Sequence, residues 1–153
     1  MAKAPRLGNI FELKTPKGFA YFQNTYKDDK FGHLIRILPG LYDTRPTSFS
    51  GLNQSKELYF IFFPLGAAVS RELVKYVADE PIPAWAQKPP IMRRAGGRSR
   101  EGKVQNWFIP DGNGEKLVVK LNDEQKHFSL AQIWNDTMLI ERICSGWLPE
   151  NDI

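Results

Sequence analysis

The sequence predicts an α+β fold built on a mainly antiparallel, bent β-sheet, either SH3-like or a partial barrel, with two packed helices. Three observations lead to this prediction. The first forty residues contain three short β runs separated by turn residues. An Asp-Gly-Asn-Gly segment joins two further β runs, and the C-terminal part has the pattern of a capped helix. A length of 153 residues suits a single domain, 1–153, that buries a core without disulfides or metal.

The N-terminal third predicts a three-stranded meander. Residues 9–14 end at a Thr-Pro-Lys-Gly turn, residues 19–26 alternate between two faces, and residues 31–38 alternate until Pro39-Gly40 stops them. Turns this short join antiparallel neighbours, so we expect the three strands to lie side by side.

The middle of the chain predicts a strand followed by a helix. Residues 57–64 are apolar on both faces, which is typical of a central strand covered on both sides. After them, apolar residues recur at helical spacing, namely Val69, Leu73, Val74 and Val77. We expect this helix to end before Pro81 and Pro83, because proline disfavours helical geometry in the residue before it.

The second half predicts a hairpin and a terminal helix. Residues 91–94 are compatible with a strand, and residues 104–109 and 116–121 flank the Asp111–Gly114 turn. This turn resembles the start of a calcium loop, but its twelfth position is Asn122 where a bidentate glutamate is required. The last helix is expected to begin at a cap of Asn135 or Asp136, and to end at Gly146.

No catalytic or metal-binding constellation can be assembled from the residues. The two histidines, His33 and His127, lie in separate elements, Cys144 is the single cysteine, and no nucleotide or nucleophile motif occurs. We therefore expect no enzyme activity, no cofactor and no metal. The longest apolar stretch, residues 58–65, is far shorter than the roughly twenty residues of a membrane helix, and no signal peptide is evident. The expectation is a soluble cytoplasmic protein with no membrane association.

The charge of the chain is unevenly distributed. Although the formal net charge is +4, residues 88–103 contain six bases and one acid, and residues 122–153 contain six acids and two bases. The first segment is therefore +5 and the second −4. Arginine with aromatic neighbours suits both protein interfaces and nucleic acid, so the sequence predicts a partner-binding site. Its predicted residues are Arg93, Arg94, Arg98, Arg100, Trp85 and Trp107. The alternative is that these arginines pair with the acidic part of the same chain.

Several segments in order resemble the immunity protein 26 family of bacterial polymorphic-toxin systems. They are Gly8-Asn-Ile-Phe-Glu-Leu, Gly18-Phe-Ala-Tyr21, Phe31-Gly-His-Leu-Ile-Arg-Ile-Leu38, Tyr59-Phe-Ile-Phe-Phe-Pro64, and Trp107 followed by Asp111-Gly112. The resemblance spans most of the chain and implies a protein that neutralises a cognate toxin by binding it, without catalysis or a cofactor. It supplies no binding residues. Inhibitors of nuclease toxins are commonly acidic, whereas this chain is basic overall. A nucleic-acid-binding module that uses residues 88–103 is the alternative function.

Overall fold

A computed structural model describes residues 3–152, which form nine strands and three α-helices. The strands are β1 (Asn9–Thr15), β2 (Gly18–Asp28), β3 (Gly32–Ile37), β4 (Tyr59–Phe63), β5 (Lys75–Asp79), β6 (Met92–Ala95), β7 (Trp107–Pro110), β8 (Glu115–Val118) and β9 (Ser129–Leu130). The helices are α1 (Ser50–Asn53), α2 (Leu65–Ser70) and α3 (Asp136–Ser145). The predicted α+β class is confirmed.

The first sheet has the strand order β4-β3-β2-β1-β5 and is antiparallel throughout. It contains the predicted meander, with Phe11 opposite Phe22 and Phe22 opposite Ile37. Gly18 lies where β2 meets the chain at Tyr42, and a Cβ there would stand 2.8 Å from the Tyr42 carbonyl oxygen. A side chain at this position would therefore push the loop away from the sheet.

The second sheet has the order β8-β7-β6-β9, in which only the β6–β9 pair is parallel. The predicted hairpin around the Asp111–Gly114 turn forms its β7–β8 pair. Residues 129–134 also run along β4, where the Phe62 amide donates to the Gln132 carbonyl and the Trp134 amide donates to the Phe62 carbonyl. One segment thus contacts both sheets. Over residues 3–152, neither strand order returns to its start, so the sheets remain open.

The predicted helix through Val77 is wrong beyond Ser70. Helix α2 stops there, and Val74 precedes strand β5, which contains Val77 and pairs with β1. The apolar spacing arises because Val74 packs in the main core while Val77 packs on the opposite side of the sheet. The strand prediction for residues 57–64 is confirmed in its burial, since every residue of β4 is buried. However, β4 lies at the end of its sheet and is covered by residues 129–134.

The main core lies between the two sheets and α3. It contains the inward side chains of the first sheet, together with Trp107, Trp134 and Trp147. Helix α3 begins as predicted at Asn135, whose side-chain oxygen accepts from the Met138 amide, and ends at Gly146 with φ 71°. The other face of the first sheet is buried too, and carries a fully buried arginine, Arg36.

Candidate protein-binding surface

Arg93 lies in the interior of the protein. It is fully buried, and its guanidinium carbon lies 4.1 Å from the centre of the Trp107 ring. The guanidinium donates to four main-chain carbonyl oxygens, those of Lys126, Phe128, Pro149 and Asp152. Burial lowers the pKa of Arg93 to about 10, which still leaves the group charged at neutral pH.

The binding roles predicted for Arg93 and Trp107 are therefore corrected. Arg93 has no exposed surface and Trp107 belongs to the main core, so neither side chain can meet a partner in this structure. Nothing in the sequence distinguishes a buried from an exposed arginine here, because Arg93 and Arg94 are adjacent arginines in one strand. The alternation of a strand points them to opposite sides.

Arg94 is on the outer side of the second sheet. It is exposed, stacks on Phe108 with its guanidinium carbon 4.2 Å from the ring centre, and forms an ion pair of 2.8 Å with Glu115. The hydrogen bond to Glu115 raises the pKa of Arg94. Phe108 lies opposite Arg94 on one side and opposite Leu117 on the other. These side chains form a row across three strands.

Leu117, at the end of that row, and Val119, two residues further along the chain, form an exposed apolar area. Leu117 is 56% exposed and Val119 78% exposed. Strand β8 is the last strand of its sheet, so one of its edges has no neighbour in the strand order. In an antiparallel pair, alternate residues point their amide and carbonyl groups away from the partner strand. Strand β8 carries Glu115 and Lys116 besides Leu117 and Val118, and an exposed strand edge is a typical site for another chain to pair.

A tight turn projects between β6 and β7. Arg98 pairs with Val104, the Ser99 amide donates to the Lys103 carbonyl, and the Gly102 amide donates to the Ser99 carbonyl. The three cations of this turn are Arg98, Arg100 and Lys103. All three are exposed, and none forms an ion pair with a carboxylate in the described part of the chain.

Gly96 fixes the base of this turn. Its amide donates to the Asn106 carbonyl, and the Gly97 amide donates to the Asn106 side-chain oxygen at 2.9 Å. A Cβ on Gly96 would stand 1.8 Å from that same oxygen. A side chain at Gly96 would therefore displace the Asn106 side chain and break its hydrogen bond to the Gly97 amide.

We call the outer row and the turn together the hairpin surface. It consists of Arg94, Phe108, Leu117 and Val119 with Arg98, Arg100 and Lys103. Three of the six predicted binding residues, Arg94, Arg98 and Arg100, belong to it. Sequence reasoning missed Phe108, Leu117 and Val119. Alternation across the predicted hairpin could have grouped Phe108 with Leu117. It could not have shown which face of the hairpin meets the core.

Trp85, the sixth predicted residue, is 44% exposed but belongs to another place. Its indole nitrogen donates to Glu57 at 3.1 Å, and the Lys56 ammonium lies 5.4 Å from its ring centre. Its polar contacts are thus made beside β4 rather than with the arginines of the second sheet.

Residues 88–103, the +5 segment, contain arginines that are bound within the protein and cations that are free to meet a partner. Arg93 is matched internally by carbonyl groups of the acidic C-terminal part, and Arg94 is matched by Glu115. The remaining cations of the turn stay on the surface. The hairpin surface therefore combines apolar area, one paired arginine and a cationic edge.

Compared with protein-family models, with curated proteins and with solved structures, the chain matches none of them. Within residues 3–152, no helix has the length and apolar character needed to cross a bilayer. In the same residues, no three His, Cys, Asp or Glu side chains are placed together as metal ligands would be.

Proposed function

We propose that this protein acts by binding a protein partner through the hairpin surface, and that the binding neutralises a toxin. The observation that carries the first half is the exposed apolar area of Leu117 and Val119 beside an arginine stacked on Phe108. Interface hot spots combine such anchors, and burying one leucine-sized side chain is worth roughly 1.5–3 kcal/mol.

The charges of the hairpin surface suggest the character of the partner. The turn that carries Arg98, Arg100 and Lys103 joins β6 to β7 at the end where Trp107 pairs with Ala95 and with Val118, which is next to Val119 in the chain. An acidic rim on the partner would complement these cations. These exposed cations would mainly accelerate encounter, whereas the apolar centre would hold the complex together.

The second half of the proposal, neutralisation of a toxin, is supported by the resemblance to the immunity protein 26 family. An immunity protein needs only to occupy a surface that its toxin uses, and requires no chemistry of its own. The basic turn suits a toxin with an acidic surface. On this view, the acidic segment 122–153 has a mainly internal role, because its carbonyl groups hold Arg93.

The decisive experiment looks for a toxin gene beside this one and uses its product. We expect purified protein to bind that toxin and to restore growth when the two are expressed together. The double variant Leu117→Asp with Val119→Asp should weaken binding by at least about 2 kcal/mol, because it places charge in the apolar centre. Both positions are exposed, so the variant should fold.

The matched control is Leu7→Asp, since Leu7 is 56% exposed, as is Leu117, and lies outside the hairpin surface. It should bind the toxin as the unaltered protein does. The proposal is wrong if the neighbouring toxin does not bind, or if the double variant binds as tightly as the control.

A nucleic-acid partner is the second candidate, favoured by the three unpaired cations of the turn. Contacts from these three to phosphates would give a slope of about −3 for log K against log salt. Glu115 argues against it, because its carboxylate pairs with Arg94 beside the hairpin surface and would repel a phosphate chain. Replacing Arg98 and Arg100 by glutamine should abolish such binding, and absence of salt-dependent binding to DNA and RNA would exclude it.

A further inference from the structure

A pocket of about 560 Å³ lies beside β5 of the first sheet. Its apolar floor is formed by Phe11 of β1, Val69 of α2 and Val74. Small-molecule sites typically have this size and an apolar lining with a few polar groups at the rim. The hairpin surface belongs to the second sheet, so this pocket is a separate feature.

The N-terminal segment forms one wall of the pocket and is held in place by hydrogen bonds. The Arg6 amide donates to the Asn9 side-chain oxygen at 2.8 Å, and the Asn24 side chain donates to the Arg6 carbonyl at 3.0 Å. Asn24 is fully buried in β2, so the backbone of Arg6 is fixed to the sheet.

Charges of both signs surround the floor. Lys3, Arg6 and Lys75 line the pocket and form no ion pair within the described residues. Lys75 also lies opposite Glu12 of β1, where its charge helps to lower the pKa of that carboxyl, so Lys3 and Arg6 are the freer cations of the rim. Two carboxylates, Asp79 and Glu72, also line it.

The two carboxylates differ in what they already bind. Asp79 accepts hydrogen bonds from Asn9 through one oxygen and from the Tyr76 hydroxyl, at 2.7 Å, through the other. Asp79 is thus occupied within the protein. Glu72 makes no side-chain hydrogen bond or ion pair with the residues described, so its carboxylate is open to a ligand.

Glu72 also has an unfavourable backbone conformation. Its φ is 58°, and it is the only non-glycine residue with positive φ in the part of the chain that the structure describes. It ends α2 in a Schellman motif: the Leu73 amide donates to the Ala68 carbonyl, and the Glu72 amide donates to the Val69 carbonyl.

The end of α3 shows what this position normally holds. There the Trp147 amide donates to the Arg142 carbonyl, the Gly146 amide donates to the Ile143 carbonyl, and Gly146 has φ 71°. The same motif therefore uses glycine in one helix and glutamate in the other. Glutamate is strained in this conformation, and strained residues are typical of binding and active sites. Glu72 is thus a candidate binding residue of the pocket.

We propose that this pocket binds a small zwitterion with an apolar part, of the class of an apolar amino acid. The anionic group would lie among Lys3, Arg6 and Lys75, the cationic group would meet Glu72, and the apolar part would cover the floor. This arrangement uses every unpaired charge at the rim and the apolar surface together.

Three probes of nearly equal size separate the contributions. They are phenylalanine, 3-phenylpropionate, which lacks the ammonium group, and 2-phenylethylamine, which lacks the carboxylate. Each is titrated into the full-length protein while amide chemical shifts are recorded by NMR. We expect saturable shifts around residues 69–79, with phenylalanine binding about tenfold more tightly than either other probe, because a hydrogen bond to a charged group contributes about that much.

Variants assign the two charges. Glu72→Gln should reduce the affinity for phenylalanine about tenfold and leave that for 3-phenylpropionate unchanged or higher. Lys75→Ala should reduce the affinity for both probes that carry a carboxylate, phenylalanine and 3-phenylpropionate. Lys14→Ala is the matched control, because Lys14 is an exposed lysine of β1 that does not line the pocket. Glu72→Gly should raise the thermal midpoint by a few degrees while losing the preference for phenylalanine.

Several outcomes overturn the proposal. They are the absence of saturable shifts with any probe, shifts centred away from residues 69–79, equal affinities for phenylalanine and 3-phenylpropionate, or a Glu72→Gln variant that binds phenylalanine normally. None of these results bears on the hairpin surface, whose test uses the toxin and different variants.

Discussion

Two arginines are fully buried in this protein, one in each sheet, and they are held in different ways. Arg36 of β3 donates to the side-chain oxygens of Gln23 and Asn53 and lies 3.4 Å from the Glu57 carboxylate. Arg93 of β6 donates only to main-chain carbonyl oxygens and stacks on Trp107. Burial lowers the pKa of both; Glu57 opposes this effect at Arg36, and Asp152 and Glu150 oppose it at Arg93.

One buried arginine holds a connection within a sheet, and the other holds the C-terminal end of the described chain. Arg36 fixes residues 53–57, which connect α1 to β4. Because β3 precedes this connection and β4 follows it, the connection is tied to the first sheet at both ends. Arg93 fixes residues 149–152 at the end of the described chain. Carbonyls in that segment can turn to water if the arginine is lost, whereas the partners of Arg36 remain enclosed.

The largest loss in the free energy of unfolding is expected for Arg36→Met. The change removes the donor of the Asn53 side chain and the buried partner of Glu57, whose carboxylate keeps the exposed Lys56 at 3.5 Å. Breaking a buried pair typically costs roughly 3–5 kcal/mol. Urea unfolding measures the free energy of unfolding. Arg71→Met, at an exposed position, serves as the control and should change it by less than about 0.5 kcal/mol. A loss as small as that of the control would show that Arg36 is dispensable.

Arg93→Met should have a smaller and more local effect. We expect a loss of about 2 kcal/mol from unsatisfied carbonyl groups. Hydrogen exchange should accelerate in residues 146–152 while the strands of the first sheet keep their protection. If exchange accelerates equally in both sheets, the distinction between the two arginines is wrong.

The smallest effect is expected at a half-exposed pair, Glu12 with Arg45. Arg45 donates to Glu12 at 2.8 and 3.1 Å, and the Tyr21 hydroxyl donates at 2.7 Å. The hydrogen bond from Arg45, and then that from Tyr21, lower the pKa of Glu12 below its ordinary 4.5. A lowered carboxyl pKa stabilises the fold above pH 4.5, and this stabilisation is lost as the pH falls through the lowered value.

Arg45→Gln should therefore reduce stability at pH 7 and have progressively less effect as the solution is acidified below pH 4.5. Urea unfolding at pH 7 and at pH 3 measures the difference. A destabilisation that is the same at both pH values would exclude the ion pair as its cause. The position of Arg45, which is 44% exposed, explains why the change should be modest.

Local signals predicted the parts of the fold that depend on neighbouring residues. The turns after Thr15 and around Gly112, and the cap at Asn135, each act within a few residues, and the elements beside them are as predicted. The stretch from Val69 to Val77 failed because its spacing fits one helix as well as two sides of a sheet. Pairing of β5 with β1, which lies some sixty residues earlier, decides between them.

The candidate site divides in the same way. The sequence shows which residues are charged, and so indicated Arg94, Arg98 and Arg100. It does not show which side of β6 faces the core, and this places Arg93 inside. The pocket beside β5 depends on a strand that was predicted as helix, so its rim of Arg6, Glu72 and Lys75 was not recognisable.

The pairing of residues 129–134 with β4 also has a consequence for synthesis of the protein. The outer edge of Tyr59-Phe-Ile-Phe-Phe63 has no partner until the ribosome has added residues 64–134. At roughly 5–20 residues per second, that interval lasts several seconds, during which an apolar strand edge is open to other nascent chains. We therefore expect slower translation across residues 64–134 to increase aggregation of the nascent chain.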